Sequence, residues 1–240
     1  MKWNIGCSGF SYRDWKEVFY PAKLPQRKWF EFYCSQFNTL ELNVTFYRFP
    51  ELKSLQNWYN TSPGKFHFSV KAPRLITHYK QFNDCGKYLD DFYSTISEGL
   101  ADKLGAVLFQ MPPKYEYSKE RLELIMNSMK NEFKNVIEFR HASWWNDEVY
   151  TAFKSNKMIF CGISHPSLPD EAIITNETAY YRFHGVPKLY YSYYDNEVLK
   201  KIADRLLNKK ALKEAFLYFN NTATMAAIEN ANWLKAYLQL

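Results

Sequence analysis

What this chain lacks narrows it first. The cysteines are few (Cys7, Cys34, Cys85 and Cys161), with no C-x-x-C pair and no metal-ligand spacing, so they read as free thiols of a reducing compartment. There is no G-x-G-x-x-G and no P-loop, which leaves a dinucleotide or nucleotide fold without specific support. No Ser-His-Asp order or nucleophile elbow speaks for acyl transfer. No apolar run approaches membrane-spanning length, and Met1–Gly6 enters a strand pattern with no signal-peptide apolar region. A cytoplasmic protein with no membrane partner is expected. Low-complexity tracts, linkers and sequence repeats are absent too, so one domain over 1–240 is expected.

Aromatic residues, by contrast, are plentiful: 19 Tyr, 19 Phe and 7 Trp in 240 residues. Most belong to a core by default, and a minority are candidates for stacking on sugars or bases. The net charge of +6 attracts anions weakly but does not mark a nucleic-acid binder. The densest basic run (Lys200, Lys201, Arg205, Lys209, Lys210 and Lys213) is interrupted by Asp204 and Glu214, as on a solvated helix face.

Hydrophobic periodicity divides the chain into alternating strands and helices. Strands are expected at Trp3–Ser8, Thr39–Asn43, Phe66–Lys71, Ala106–Gln110, Asn135–His141, Met158–Ile163, Tyr180–Gly185 and Ala215–Asn220. Helices are expected near 26–36, 50–60, 90–103, 118–130, 147–156, 195–207 and 225–238, with Ser118 as an N-cap. The stretch from Thr77 to Gly86 reads as a long loop, and 165–179 as an irregular crossover with no good helix. Eight strand patterns in 240 residues fit an α/β fold of the (β/α)8, TIM-barrel-like class, irregular because its sixth helix is missing or shortened.

In such a barrel the inward residues at the C-terminal strand ends build the site. Stepping back by two from the last polar residue of each strand selects Glu41 and Asn43, Lys71, Gln110, Glu138 and Arg140, Arg182 and His184, and Asn220. Together they predict a preformed polar pocket at one barrel mouth.

Several of these positions sit in segments that resemble a known family. Gly6–Cys7–Ser8–Gly9–Phe10–Ser11–Tyr12, Phe19–Tyr20–Pro21, Glu41–Leu42–Asn43 with Phe46–Tyr47, and Lys71 with Thr77–His78 come in the order seen in the YecE-like family, a domain of unknown function. So do Phe109–Gln110–Met111–Pro112–Pro113, Glu138–Phe139–Arg140–His141 with Trp144, Arg182 with His184–Gly185, and Phe219–Asn220–Asn221–Thr222. The resemblance spans nearly the whole chain and implies a barrel related to the (β/α)8 class, with no established reaction. Cys7 stands where the family usually has Thr, Phe10 where Trp is usual, and Ser164–His165 where an Asp is frequent.

The residues themselves suggest chemistry. Lys71, Arg140 and Arg182 outnumber Glu41 and Glu138, which favours a small anionic ligand such as a phosphate ester or carboxylate. The competing reading is an internal salt-bridge lattice. In the leading hypothesis Glu138, with Glu41, transfers protons, His184 is a second acid or base, and Lys71, Arg140 and Arg182 hold the anion. Lys71 flanked by arginines is also a candidate for a lowered pKa, as a base or imine-forming amine. Gln110, Asn43, Asn220 and Asn221 would orient the ligand, with His78 following Lys71 into the mouth. Tyr47 and Trp144 would stack on a sugar-like ring, unless they only pack the wall.

Glu41 and Glu138 are the one strand-end carboxylate pair a glycosidase would use. With His184 they make three metal ligands, but the adjacent cations oppose a divalent ion, and no cofactor motif is present. A nucleic-acid-binding or phosphodiester-processing protein, and a non-catalytic ligand-binding module, are the alternatives.

Overall fold

Nine short strands, all parallel, hydrogen-bond in the order β6-β5-β4-β3-β2-β1-β9-β8-β7 in the computed structural model, which describes residues 1–240. They are β1 (Lys2–Ser8), β2 (Thr39–Leu42), β3 (His67–Lys71), β4 (Leu104–Gln110), β5 (Asn135–Glu138), β6 (Ile159–Phe160), β7 (Gly162–Ser164), β8 (Thr178–Phe183) and β9 (Glu214–Phe219). Only Cys161 separates β6 from β7, so the two ends of the sheet are halves of one interrupted sixth strand. The Cys161 N–H still donates to the Ile137 carbonyl at 2.9 Å. The sheet therefore curls into a nearly closed barrel, as the eight-strand pattern predicts.

Helices α1 (Trp29–Gln36), α2 (Val44–Tyr47), α3 (Leu52–Thr61), α4 (Gly86–Leu100), α5 (Lys119–Ser128), α6 (Asp147–Ser155), α7 (Asn196–Leu207) and α8 (Ala226–Tyr237) lie between or after the strands. Local sequence sets their starts. Ser118 Oγ accepts from the Arg121 N–H at 3.3 Å, and Asn146 Oδ1 accepts from the Val149 N–H at 3.0 Å ahead of Asp147 and Glu148. No helix connects β7 to β8, as the irregular crossover predicts. No helix is long and apolar enough to cross a membrane.

The period of two sorts each strand into an outer and an inner set. Outer residues such as Leu40, Val70, Val107, Ile137 and Phe219 join the main core beneath the helices. A separate inner cluster contains Ala106, Leu108, Val136, Ile159, Cys161, Tyr180, Phe216 and Tyr218. This cluster fills the middle of the barrel beside the hydrogen-bonded Tyr218, Thr39 and Ser69 hydroxyls, with a smaller polar group of Asn4, Glu214, Lys2 and Lys134 at the N-terminal end.

The barrel also needs close backbone approach at Gly6. A Cβ there would stand 2.2 Å from the Thr39 carbonyl oxygen and 2.8 Å from the Tyr33 hydroxyl. The Tyr33 hydroxyl in turn accepts from the Cys7 N–H at 2.7 Å and donates to Thr39 O at 3.0 Å. A backbone carbonyl cannot step aside cheaply, so Gly6→Ala is expected to destabilise by about 2 kcal/mol. Urea denaturation checks this; an unchanged midpoint would mean that β1 and β2 separate freely.

Two short elements depart from the sequence reading. The four-residue α2 begins directly after β2, so Asn43 leaves the strand with helical dihedrals (φ −94°, ψ −16°) rather than extending the Glu41 face. A π-helical turn over Leu75–Tyr79 occupies part of the expected long loop. The strands also stop early: Arg140, His184 and Asn220 all lie one or two residues past the last strand pairing.

Candidate functional site at the barrel mouth

Register brings the inward strand ends together. Ser8 pairs with Glu41 across β1–β2, Gln110 with Glu138 across β4–β5, and Arg182 with Tyr218 across β8–β9. At the centre stands Arg182, 1 % exposed. Its Nη2 donates to Glu41 Oε1 at 2.7 Å, and its Nη1 to Glu138 Oε2 at 2.6 Å. Tyr180, one inward step earlier on β8, donates its hydroxyl to Glu41 Oε2 at 2.6 Å.

Arg140 folds back over β5. Its Nε donates to Glu138 Oε1, and its Nη2 lies 3.1 Å from His184 Nε2. Asn220 Nδ2 approaches the other ring nitrogen of His184 at 2.8 Å. Lys71 closes the group, with Nζ donating to Gln110 Oε1 at 2.8 Å and lying 4.1 Å from the centroid of the Phe46 ring.

The electrostatics follow from these neighbours. Burial alone would raise the Glu138 carboxyl, but the Arg140 and Arg182 guanidiniums outweigh it and hold Glu138 well below the usual range. His184 is fully buried beside Arg140, and both effects lower it well below an ordinary histidine, so it stays neutral. Burial and the Arg182 charge push the Lys71 ammonium down to about 7. His78 falls to about 4 through burial and the nearby Lys71 and Arg140 charges. The buried polar atoms with no partner within the protein include Ser8 Oγ, Asn43 Oδ1, Arg182 Nε and Asn221 Oδ1 at this end.

Glu41, Lys71, Gln110, Glu138, Arg140, Arg182, His184 and Asn220 are thus brought together. His78 is near them, its ring edge-on to Phe46 at 5.0 Å. Asn43 and Tyr47 sit instead on a groove of about 480 Å³ that starts at Glu41 and runs past Tyr12, Phe49 and Trp58. Tyr47, 70 % exposed, forms part of its rim.

Two expected ligand contacts do not hold. Trp144 is fully buried, stacked on Phe139 at 3.9 Å and Tyr115 at 5.6 Å, with Nε1 donating to Tyr115 O at 2.7 Å. Both of its faces are covered, so it is wall rather than platform. Asn221 is also buried, donating from Nδ2 to Ser192 O at 2.9 Å and Asn230 Oδ1 at 3.0 Å. It ties the loop after β8 to α8.

Arg182 also fills the space between Glu41 and Glu138, where a glycosidase would place its sugar. No group of three or more His, Cys, Asp and Glu side chains converges as metal ligands. Cys7 and Cys161 are fully buried free thiols, raised by burial as inert core cysteines are.

Sequence reasoning missed Phe46 and Tyr180 as site residues, and His165, whose ring lies 6.1 Å from that of His184. Tyr180 was within reach, since it shares the period-two face of Arg182. Phe46 was not, because its position depends on α2. Ser164 points away from the mouth, its hydroxyl donating to Asp170 Oδ2 at 3.1 Å.

Fold and site together define a TIM-barrel-like protein with a charged cluster at the C-terminal mouth. The sequence profile described as "Protein of unknown function DUF72" matches residues 4–240, and the chain belongs to that family. It is 25 % identical over 272 residues to UPF0759 protein YunF of Bacillus subtilis (strain 168), covering 98 % of this chain and 94 % of that protein. A DUF72 family protein from Thermotoga maritima MSB8 superposes with a TM-score of 0.91 at 28 % identity, covering 100 % of both chains. One from Enterococcus faecalis V583 shares the fold, with a TM-score of 0.80 at 20 % identity, covering 99 % of this chain and 96 % of that one.

Proposed function

We propose that this protein is an enzyme that takes a small anionic, sugar-like molecule bearing a phosphate or carboxylate at the barrel mouth and works by acid–base chemistry. One observation carries the reading. Both interior carboxylates are committed to arginines, leaving Lys71 as a third cation with no carboxylate within salt-bridge distance. An anion seated against Lys71 and Arg140 would complete the charge balance.

The reading changes the division of labour expected from the sequence. Glu138 is locked in the ionised form, so its work is to hold Arg140 and Arg182. Lys71, whose pKa lies near neutrality, is the group suited to exchange a proton with substrate. The groove shares Glu41 with the charged cluster, and the rest of the molecule would lie there.

Thermal shift against small carboxylates, phosphosugars, nucleotides and oligonucleotides, at two salt concentrations, tests this. A small anion should stabilise the native chain by about 2.7 kcal/mol at one hundred times its Kd, and Lys71→Met should lose that gain. Stabilisation by oligonucleotides alone, collapsing at high salt, would replace the reading with nucleic-acid binding.

A further inference from the structure

We infer that Lys71 is a covalent nucleophile, whose side-chain amine condenses with the carbonyl of a small anionic aldehyde or keto acid to form an imine. The inference rests on the anion reading above and adds a bond to it.

The geometry is that of an amine whose charged form is poorly accommodated, so that it gives up its proton near neutrality. An ammonium presents three N–H donors and asks for acceptors. The chain's other buried lysine, Lys103, has them: its Nζ donates to Tyr59 O at 2.6 Å, Ser62 O at 2.7 Å and Ser62 Oγ at 3.0 Å. Lys71, equally buried, has one, the Gln110 amide oxygen, with the Phe46 ring face 4.1 Å from Nζ as a weaker, cation–π partner. The carboxylates that would keep it charged are taken by Arg182, Arg140 and Tyr180. A neutral amine needs fewer acceptors and keeps a lone pair for attack. Its pKa of about 7 agrees with this arrangement.

The step balances without any other reagent. The nitrogen lone pair attacks the carbonyl carbon, and the C=O π pair moves onto oxygen. The proton released by nitrogen ends on that oxygen, giving a carbinolamine. The C–O bond then breaks as the nitrogen lone pair forms C=N, and the second nitrogen proton goes to the departing hydroxyl, which leaves as water. When the imine takes up a proton, the carboxylate or phosphate of the substrate, held by Arg140, is its counterion.

Reductive trapping tests this on the native chain. The protein is incubated at pH 7 with pyruvate, glyoxylate or glyceraldehyde 3-phosphate plus cyanoborohydride, and the adduct is located by peptide mass mapping. Lactate controls for the anion alone, and propionaldehyde for the carbonyl alone. One adduct per chain is expected, on Lys71, formed at least about a hundredfold faster than on a surface lysine, because far more of its amine is free at pH 7. Adducts scattered over surface lysines, with Lys71 unlabelled, would overturn the inference. If pyruvate and lactate raise the melting point alike in that case, the anion site stands and only the imine falls. If neither acid shifts it while propionaldehyde labels Lys71, the nucleophile stands and the anion reading falls.

Discussion

Replacing Arg182 by methionine is expected to destabilise the protein by about 4 kcal/mol at pH 7, because it leaves buried Glu41 with only the Tyr180 hydroxyl and Glu138 with Arg140 as its one remaining guanidinium. Both carboxylates are fully buried, and Arg182 makes the bonds of 2.7 and 2.6 Å that compensate them. Methionine fills much of the volume, so the loss is one of charge rather than of packing.

The pH dependence separates this cause from a cavity. In the native chain Glu138 is depressed below the unfolded value of about 4.3, so its contribution is full above that pH. It is lost as pH falls through the folded value. In Arg182→Met the sign reverses. The folded state gains by taking up a proton on a stranded carboxylate, so the deficit shrinks between pH 7 and pH 5. Adding Glu41→Gln should restore at least half of the lost stability, since the amide removes one uncompensated charge. Urea midpoints at pH 5 and 7 decide it. A loss below 1 kcal/mol, or one independent of pH, would mean that the lattice does not rest on Arg182.

How much of this was legible in the sequence depends on whether one strand or several elements fix a residue. Glu138, Arg182 and Lys71 were legible because a period of two on a buried strand allows a single face for each. The missing sixth helix was legible too, since Pro166 and Pro169 leave no amphipathic run. The interruption at Cys161 was not, because the apolar pattern runs unbroken from Met158 to Ile163.

Trp144 takes the second of its two sequence readings, wall rather than platform, for a physical reason. Following a strand end places an aromatic near the mouth, but which way it turns is set by Phe139 and Tyr115 from other segments. Asn221 likewise turns toward Asn230 on α8, a contact that no local pattern encodes. The commitment of the carboxylates to arginine, rather than to a ligand, depends on register across β2, β5 and β8, which the sequence leaves open.

The second large effect has the opposite sign. Lys71→Met is expected to stabilise the protein by about 3 kcal/mol at pH 6, and by much less at pH 10. A lysine whose folded pKa is lowered to about 7 binds fewer protons when folded than when unfolded, over the window from pH 7 up to about 10.4. Native stability therefore rises with pH through that window, and below pH 7 the fold carries the whole cost of a poorly paired ammonium. Methionine removes the cost and the slope together. It gives up the hydrogen bond to Gln110, worth about 1 kcal/mol, which the 3 kcal/mol already allows for. Buried thiols such as Cys7 and Cys161 pull the other way above about pH 8.5, since their raised values make the folded state hold protons longer. They are common to both chains, so the difference between native and variant isolates Lys71. A variant less stable than the native chain at pH 6, with the same pH slope, would show Lys71 to be a satisfied ammonium and remove the neutral amine on which imine formation depends. A stabilised variant that no longer responds to small anions would show a residue retained at the barrel mouth against the interest of the fold, which is the mark of a working group rather than of scaffolding.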